Sequence, residues 1–346
     1  MSFRYVFSSM TRISDLPRAA FSVEPLAKKH WEVGDYVVAR VERTGGDDTI
    51  ELASGRVVHV TEGDQVVGAF GKRFATLDAT GDWEQVGADG RMHALTEGGL
   101  FGKCLSQSSW VPPLMPITYG GHVLVRGKKA RMQDYLPLAP ERAFDLPVVL
   151  IIGSSMSAGK TRSAQTIIRL LKASGRRVLG AKLTGSGRYH DVLTMEDAGA
   201  DAIFDFVDAG LPSTVCPTDV YRKAVRQLLS RMASTDVDVA VIEVGASPLE
   251  PYNGAVAVEE LRSNVRMTVL CASDPYAVVG VMTAFDCRPD LVTGIVSNTD
   301  ASLALVEKLA GVRALNISVH ANLPEVSRLI EEKLPLPYDL ALSHRN

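Results

Sequence analysis

The chain has 346 residues, a formal net charge of -3 at pH 7 and a pI near 6.2, a balance that excludes a general nucleic-acid binder. Hydrophobic residues make up 46% and charged residues 22%, the proportions of a globular chain, and at roughly 100–200 residues per domain the length allows two cores. The longest apolar runs, such as Leu146–Ile152, are strand-length and far short of the ~20 residues a spanning helix needs, so no membrane segment is expected.

In chain order, no apolar stretch with a small-residue cleavage site follows Met1–Phe7, so a cytoplasmic chain is expected. Residues 1–135 read as a β-rich domain, a small barrel or sandwich. Its strands are Tyr36–Val41, Ile50–Leu52, Arg56–Val60 and Gln65–Phe70, with turns at Gly45–Asp48, Ser54-Gly55 and Glu62–Asp64. The basic cluster Arg126, Lys128, Lys129 and Arg131, before Pro137 and Pro140, reads as linker, a solvated basic connector, with the domain boundary drawn at 136–146. The four cysteines, Cys104, Cys216, Cys271 and Cys287, form no CxxC or Cys/His cluster and are expected to be reduced.

From 147 to 335 the texture becomes strands alternating with helices, an α/β pattern that predicts a mostly parallel sheet with helices on both faces, followed by a tail at 336–346. Val148–Ile152 is continuously apolar, as a strand covered on both faces must be. The next helix carries Ala164, Ile167, Ile168 and Leu171 on one face, with Gly175 placed to stop it. Further strands are expected at Val178–Leu183, Val237–Val244, Met267–Ala272, Leu291–Ser297 and Val312–Ile317, and a helix through Tyr221, Ala224, Val225, Leu228, Leu229 and Met232.

The strongest motif is Gly153-Ser154-Ser155-Met156-Ser157-Ala158-Gly159-Lys160-Thr161, between a buried strand and an amphipathic helix. In that context the loop N–H groups and the helix N-terminus face an anion, Lys160 neutralises phosphate oxygens and the Thr161 hydroxyl binds Mg²⁺. The spacing is one longer than usual: the customary first glycine falls at Ser154. At the end of the second strand, Ala181-Lys182-Leu183-Thr184-Gly185 resembles the equivalent strand end of dethiobiotin synthetase. That resemblance makes Lys182 a candidate for the reacting phosphate or a substrate carboxylate, placed to stabilise developing negative charge; Thr184, Gly185, Ser186, Arg188 and Asp191 are further substrate candidates. The strand Asp236–Val244 ends in Glu243, a candidate to hold Mg²⁺ or orient a nucleophile.

Gly-x5-Gly-Lys-Thr resembles dethiobiotin synthetase and related members of the P-loop branch that includes MinD. The second lysine of the MinD type would fall at Ser155 and is absent, and no Asn-Lys-x-Asp guanine motif occurs. Gly153–Thr161, Lys182–Gly185, Asp205-Phe206-Val207 and Glu243-x3-Ser247-x3-Pro251 also resemble, in order and spacing, the C-terminal domain of the D-glutamate N-acetyltransferase family. That resemblance adds Ser247 to the substrate candidates. Here Val244, Gly245 and Ala246 stand where the family suggests a Gly-Gln-Gly-like run. In this branch an asparagine at the position of Asn298 reads the purine base; a turn or helix cap is the equal alternative.

Three functions follow. The first is a Mg-ATP enzyme phosphorylating or activating a small amino- or carboxylate-bearing metabolite, with Lys160, Lys182 and Glu243 catalytic. The second is an N-acyltransferase using acetyl-CoA, its pyrophosphate in the loop. The third is a non-catalytic, nucleotide-gated binding module. The expected partner is a small molecule, with neither nucleic acid nor membrane, and a homo-oligomer is left open.

Overall fold

The computed structural model describes residues 5–42, 48–138 and 141–335; the tail expected at 336–346 and most of the turn expected at 45–48 lie outside the described residues. In the second half, β1 (Val148–Gly153), β2 (Val178–Thr184), β3 (Ala202–Asp205), β4 (Val239–Val244), β5 (Val265–Cys271) and β6 (Leu291–Thr293) form one sheet. Its order is β3-β2-β4-β1-β5-β6 and all its pairings are parallel. The period of two explains β1: Val149 and Ile151 enter the core on one face, and Val148, Leu150 and Ile152 the core on the other.

Helix α1 (Lys160–Ala173) lays Ala164, Ile167, Ile168 and Leu171 onto the first face. Each fully buried Ile or Leu on that stripe contributes about 1.5–3 kcal/mol. Gly175, at φ +82, then ends it, its N–H bonding Lys172 O. Helix α2 (His190–Asp197) and α7 (Leu323–Lys333) add Val192, Met195, Val326, Leu329 and Ile330 to that face. On the other face lie α3 (Thr218–Met232), α4 (Gly254–Leu261), α5 (Pro275–Phe285) and α6 (Asp300–Ala310).

Two expected strands are corrected. Leu291–Ser297 stops at Thr293 because Gly294 turns to φ +91 and packs against Ala158 O; Ile295–Ser297 is a 3-10 turn. Val312–Ile317 makes one isolated bridge, Ala314 to Val292.

The first half is the expected β-rich part, and it closes as a ring. Gln65–Phe70, Tyr36–Val41, Pro116–Val125, Arg91–Ala94 and Leu100–Gln107 pair in succession, and the last pairs back to the first. Val37, Ala39, Val41, Phe70, Met92, Phe101 and Ile117 fill one core. Tyr36 and Val38, the alternate residues of one of these strands, join Leu150, Ile152 and Leu183 in the core of the parallel sheet, so the two parts share apolar packing.

The basic cluster is not a linker. Lys128–Lys129 pairs antiparallel with Pro116–Val125, Lys129 bonds Asp35 at 2.9 Å, and Arg131 pairs with Asp134 at 3.0 Å. The turn that allows this hairpin is Arg126-Gly127, both at positive φ.

Candidate functional site

Gly153 ends β1, but Ser154 still follows the sheet: its N–H donates to Cys271 O at 2.9 Å, and its hydroxyl accepts from Ser273 N at 3.1 Å. The extra residue in the spacing is therefore absorbed by the strand end, and the loop turns over Ser155–Gly159. Lys160 folds back across Gly153, where a Cβ would stand 2.8 Å from its Cδ and 2.9 Å from its Nζ. Gly159, at φ +98, leads into α1. Gly294 braces the loop from beneath, where a Cβ would meet Ala158 O at 2.1 Å. The chain folds as a P-loop α/β protein with a β-rich N-terminal part.

The Lys160 ammonium is buried and donates to Ser155 O at 2.6 Å. Burial holds it below the usual lysine range; Glu243 opposes that shift and Lys182 adds to it. Thr161, next along α1, donates to Glu243 Oε2 at 3.0 Å.

Strand register brings the other candidates together. Glu243 stands opposite Ile151 of β1 on one side and Lys182 of β2 on the other. Lys182 Nζ lies 3.9 Å from Glu243 Oε1 and forms an ion pair with Asp191 in the first turn of α2. Burial lowers the Lys182 ammonium, but attraction to Asp191 and Glu243 outweighs it and raises the pKa. Burial likewise pushes Asp191 up, and Lys182 overcomes this and holds the carboxyl below its ordinary value. The lysine stem needs glycine beside it: a Cβ at Gly245 would stand 2.9 Å from Lys182 Cε, and one at Gly185 3.1 Å.

A cleft of about 880 Å³ opens over these groups. Met156, Ser157, Lys160, Thr161, Lys182, Gly185, Arg188, Asp191 and Glu243 line one wall. The opposite wall comes from the β-rich part: Arg73, Asp78, Thr96, Glu97 and the segment from Val111 to Pro116. Arg188 bridges the walls by pairing with Glu97 at 2.7 Å.

Gly153, Ser154, Ser155, Ala158 and Gly159 shape the loop and do not line the cleft. Three further candidates also stay outside it. Thr184 is buried and donates to Gly245 O at 2.9 Å. Ser247 belongs to a turn, its hydroxyl accepting from Leu249 N at 3.2 Å and its N–H donating to Glu250. Asn298 is exposed, ends the 3-10 turn rather than a strand, and has Asn316 Nδ2 3.5 Å from its side-chain oxygen.

Ser186, a ligand candidate in the sequence, lines the cleft. Ala246, Glu51 and Arg12 are among the residues the sequence did not single out for the site. Ala246 lines the cleft and holds a left-handed φ of 58, costly for a residue with a Cβ. Glu51, fully buried in the β-rich part, accepts from Tyr189 N at 2.7 Å and His190 N at 2.6 Å and so caps α2, the helix that carries Asp191. Beside it Arg12 lies 4.5 Å from the Tyr189 ring centroid and pairs with Asp205 at 2.6 Å and Asp208 at 3.1 Å. A carboxylate between Ile50 and Leu52 was the available signal for Glu51. The Arg12 contacts left none.

No family model matches this chain, and no curated protein matches it. Among solved structures, a DUF1611 family protein from Anabaena variabilis is 13% identical with a TM-score of 0.37, over 57% of this chain. This chain covers 62% of the Anabaena protein's length. HypB from Helicobacter pylori in complex with nickel is 16% identical with a TM-score of 0.36, over 54% of this chain and 86% of that one. FlhF complexed with GTP and Mg²⁺ is 13% identical with a TM-score of 0.31, over 54% of this chain and 70% of that one. Likenesses this slight carry no functional argument, and the site is read from its own geometry. Among the described residues no helix is long and apolar enough to cross a membrane.

Proposed function

We propose that the chain is a P-loop enzyme that uses Mg-ATP to phosphorylate or activate a small amino- or carboxylate-bearing metabolite. The observation that carries this reading is the convergence of Lys160, Thr161, Lys182 and Glu243, from two strand ends and a helix start, on one cleft. A simple phosphate grip needs only the loop; a second lysine and a buried carboxylate beside it supply groups for chemistry.

The Thr161 hydroxyl and Glu243 carboxylate, 3.0 Å apart, are the hard oxygen donors that Mg²⁺ takes, either directly or through water. When bound, the ion would neutralise phosphate oxygens. Lys160 would exchange the Ser155 carbonyl for a phosphate oxygen. Lys182, kept protonated by Asp191 and Glu243, would face negative charge developing on the transferring group. Transfer from acyl-CoA to an amine needs a general base, for which Glu243 and Asp191 are the candidates; Asp191 is held acidic by Lys182, and Glu243 is engaged by Thr161 and Lys182.

The test is calorimetric titration of the full chain with ATP, GTP and acetyl-CoA, each with and without Mg²⁺, followed by assay of ATP consumption with small amino and carboxylic acids. Magnesium-dependent ATP binding with acceptor-stimulated turnover is expected. Tight acetyl-CoA binding indifferent to magnesium would overturn the proposal, as would nucleotide binding without turnover over a broad acceptor panel.

A further inference from the structure

The β-rich part places its own cation on the cleft. Arg73 lies in the short strand Lys72–Phe74, which pairs with Ala79–Asp82 at the edge of the sheet. Its side chain is 11% exposed and lines the cleft together with Lys160, Lys182 and Glu243. Two corners of the guanidinium are tied: Nη1 donates to Leu95 O at 2.6 Å and Nη2 pairs with Asp78. The third donor, Nε–H, is buried and has no hydrogen-bond partner among the described residues. Buried donors in native proteins are nearly always satisfied, so an orphan on a cleft wall points to an acceptor that a ligand brings.

The hairpin that carries Arg73 is fastened to the loop after Glu243. Phe74 N donates to the Tyr252 hydroxyl at 2.7 Å, and Thr76 Oγ1 donates to Glu250 Oε1 at 2.6 Å. The other oxygen of Glu250 accepts from Ser247 N at 2.6 Å, within the same loop. The placement of Arg73 relative to Glu243 is thus set by hydrogen bonds between the two parts of the chain.

We propose that Arg73 is a catalytic residue, reaching across the cleft to bind an oxygen of the transferring phosphoryl group; this rests on the Mg-ATP reading above. Lys182 is flanked by Asp191 and Glu243, which compensate its charge, and Lys160 approaches from the loop side. Arg73 supplies a planar donor from the opposite wall. In the transfer, the bond from phosphorus to the ADP oxygen breaks and its electron pair leaves with ADP, while a lone pair of the acceptor, a carboxylate oxygen or an amine nitrogen, bonds to phosphorus. A carboxylate has no proton to lose; an amine passes one to solvent. Arg73 neither gains nor loses a proton; it donates a hydrogen bond to charge spread over the equatorial oxygens.

The experiment uses the full chain, Mg-ATP binding by calorimetry, and Mg-ADP with aluminium fluoride as a mimic of the phosphoryl group in transfer. For Arg73→Ala and Arg73→Lys, Mg-ATP affinity is expected to stay within a few fold of wild type, while affinity for the ADP–aluminium fluoride state falls by about 100-fold or more. If Arg73→Ala does not melt cooperatively, Arg73→Lys decides, because an ammonium keeps the charge and loses the Nε–H donor. Unchanged trapping of the mimic in a folded variant overturns the inference alone, as does a wild-type chain that binds Mg-ATP but never traps it. A wild-type chain that binds no Mg-nucleotide overturns the underlying reading and this inference together.

Discussion

Replacing Glu51 with glutamine tests whether the β-rich part holds the catalytic lysine in place. The buried carboxylate accepts from Tyr189 N, His190 N and the Ser9 hydroxyl, with the N-terminus of α2 directly above it. An amide keeps one acceptor oxygen and turns an NH₂ toward a second donor. One buried N–H is then left unpaired, at about 1–3 kcal/mol. Loss of the anion from the helix N-terminus costs about 0.3–1 kcal/mol more. The carboxylate's own desolvation is relieved in return, so the net loss on urea unfolding is expected at about 2 kcal/mol. A stability loss alone would fit any buried polar group, so the second readout is Lys182. Asp191 sits in the first turn of the helix that Glu51 caps and is the first cause of the raised Lys182 pKa. If the cap loosens, Lys182 deprotonates more easily and reacts several-fold faster with acetic anhydride near pH 9, measured by peptide mass spectrometry, while Lys160 is unchanged. Unaltered Lys182 labelling in a variant that has lost the expected stability would refute the chain of support from Glu51 to Lys182.

Four further outcomes are expected. Gly153→Ala puts a methyl 2.8 Å from Lys160 Cδ, and nucleotide affinity by calorimetry should fall at least about tenfold while the melting temperature moves little. Thr161→Val removes the hydroxyl beside Glu243 and should abolish the magnesium dependence of ATP binding without abolishing magnesium-free binding. Ala246→Gly relieves a φ of 58 and should leave urea stability unchanged or raise it by up to about 1 kcal/mol, whereas Ala246→Val should lower it. Asp191 has its folded pKa below the unfolded value, so the stability it contributes is present above the ordinary carboxyl range, ~4, and is lost as pH falls through the folded pKa. Lys182→Met leaves that carboxylate buried and unpaired, so the stability gap from wild type should widen as pH rises from 3 to 6.

The parts of the site legible in the sequence are those where strand, loop and helix are consecutive. An apolar run, a glycine-bounded loop, a lysine, a hydroxyl and a 3.6-residue stripe occupy residues 148 to 171, and each constrains its neighbours in space. The Lys182–Glu243 pair was half legible. Two apolar strands each ending near a charged residue can be read, but their adjacency depends on β2 and β4 being neighbours and in register. Where local pattern competed with packing, it lost. Apolar residues from Leu291 onward promised a long strand, yet the phosphate-binding loop packed against Gly294 needs the chain to turn there, and Ile295–Ser297 coils to allow it. Lys128 and Lys129 looked like solvated linker, yet a two-residue turn folds them back into the sheet.

The opposite wall of the cleft was illegible for a physical reason. Arg73 lies in a short strand whose alternation says only which side faces away from the ring core, and Glu97 lies in the turn between two strands of the ring. A charge pointing away from that core normally meets water; here it meets the C-terminal edge of a second sheet. The meaning of those residues is created by docking, through Glu51 on α2, Arg12 on Asp205 and the hairpin on the Glu243 loop. Each contact fastens a segment that carries or flanks a charged group of the cleft: α2 with Asp191, the end of β3 beside Lys182, and the loop following Glu243. A β-rich part serving only as a spacer would have no need to pin all three. That coincidence is the reason to expect substitutions at Glu51 or Arg73 to register at Lys182 or in the phosphoryl-transfer state, and not merely in the melting temperature.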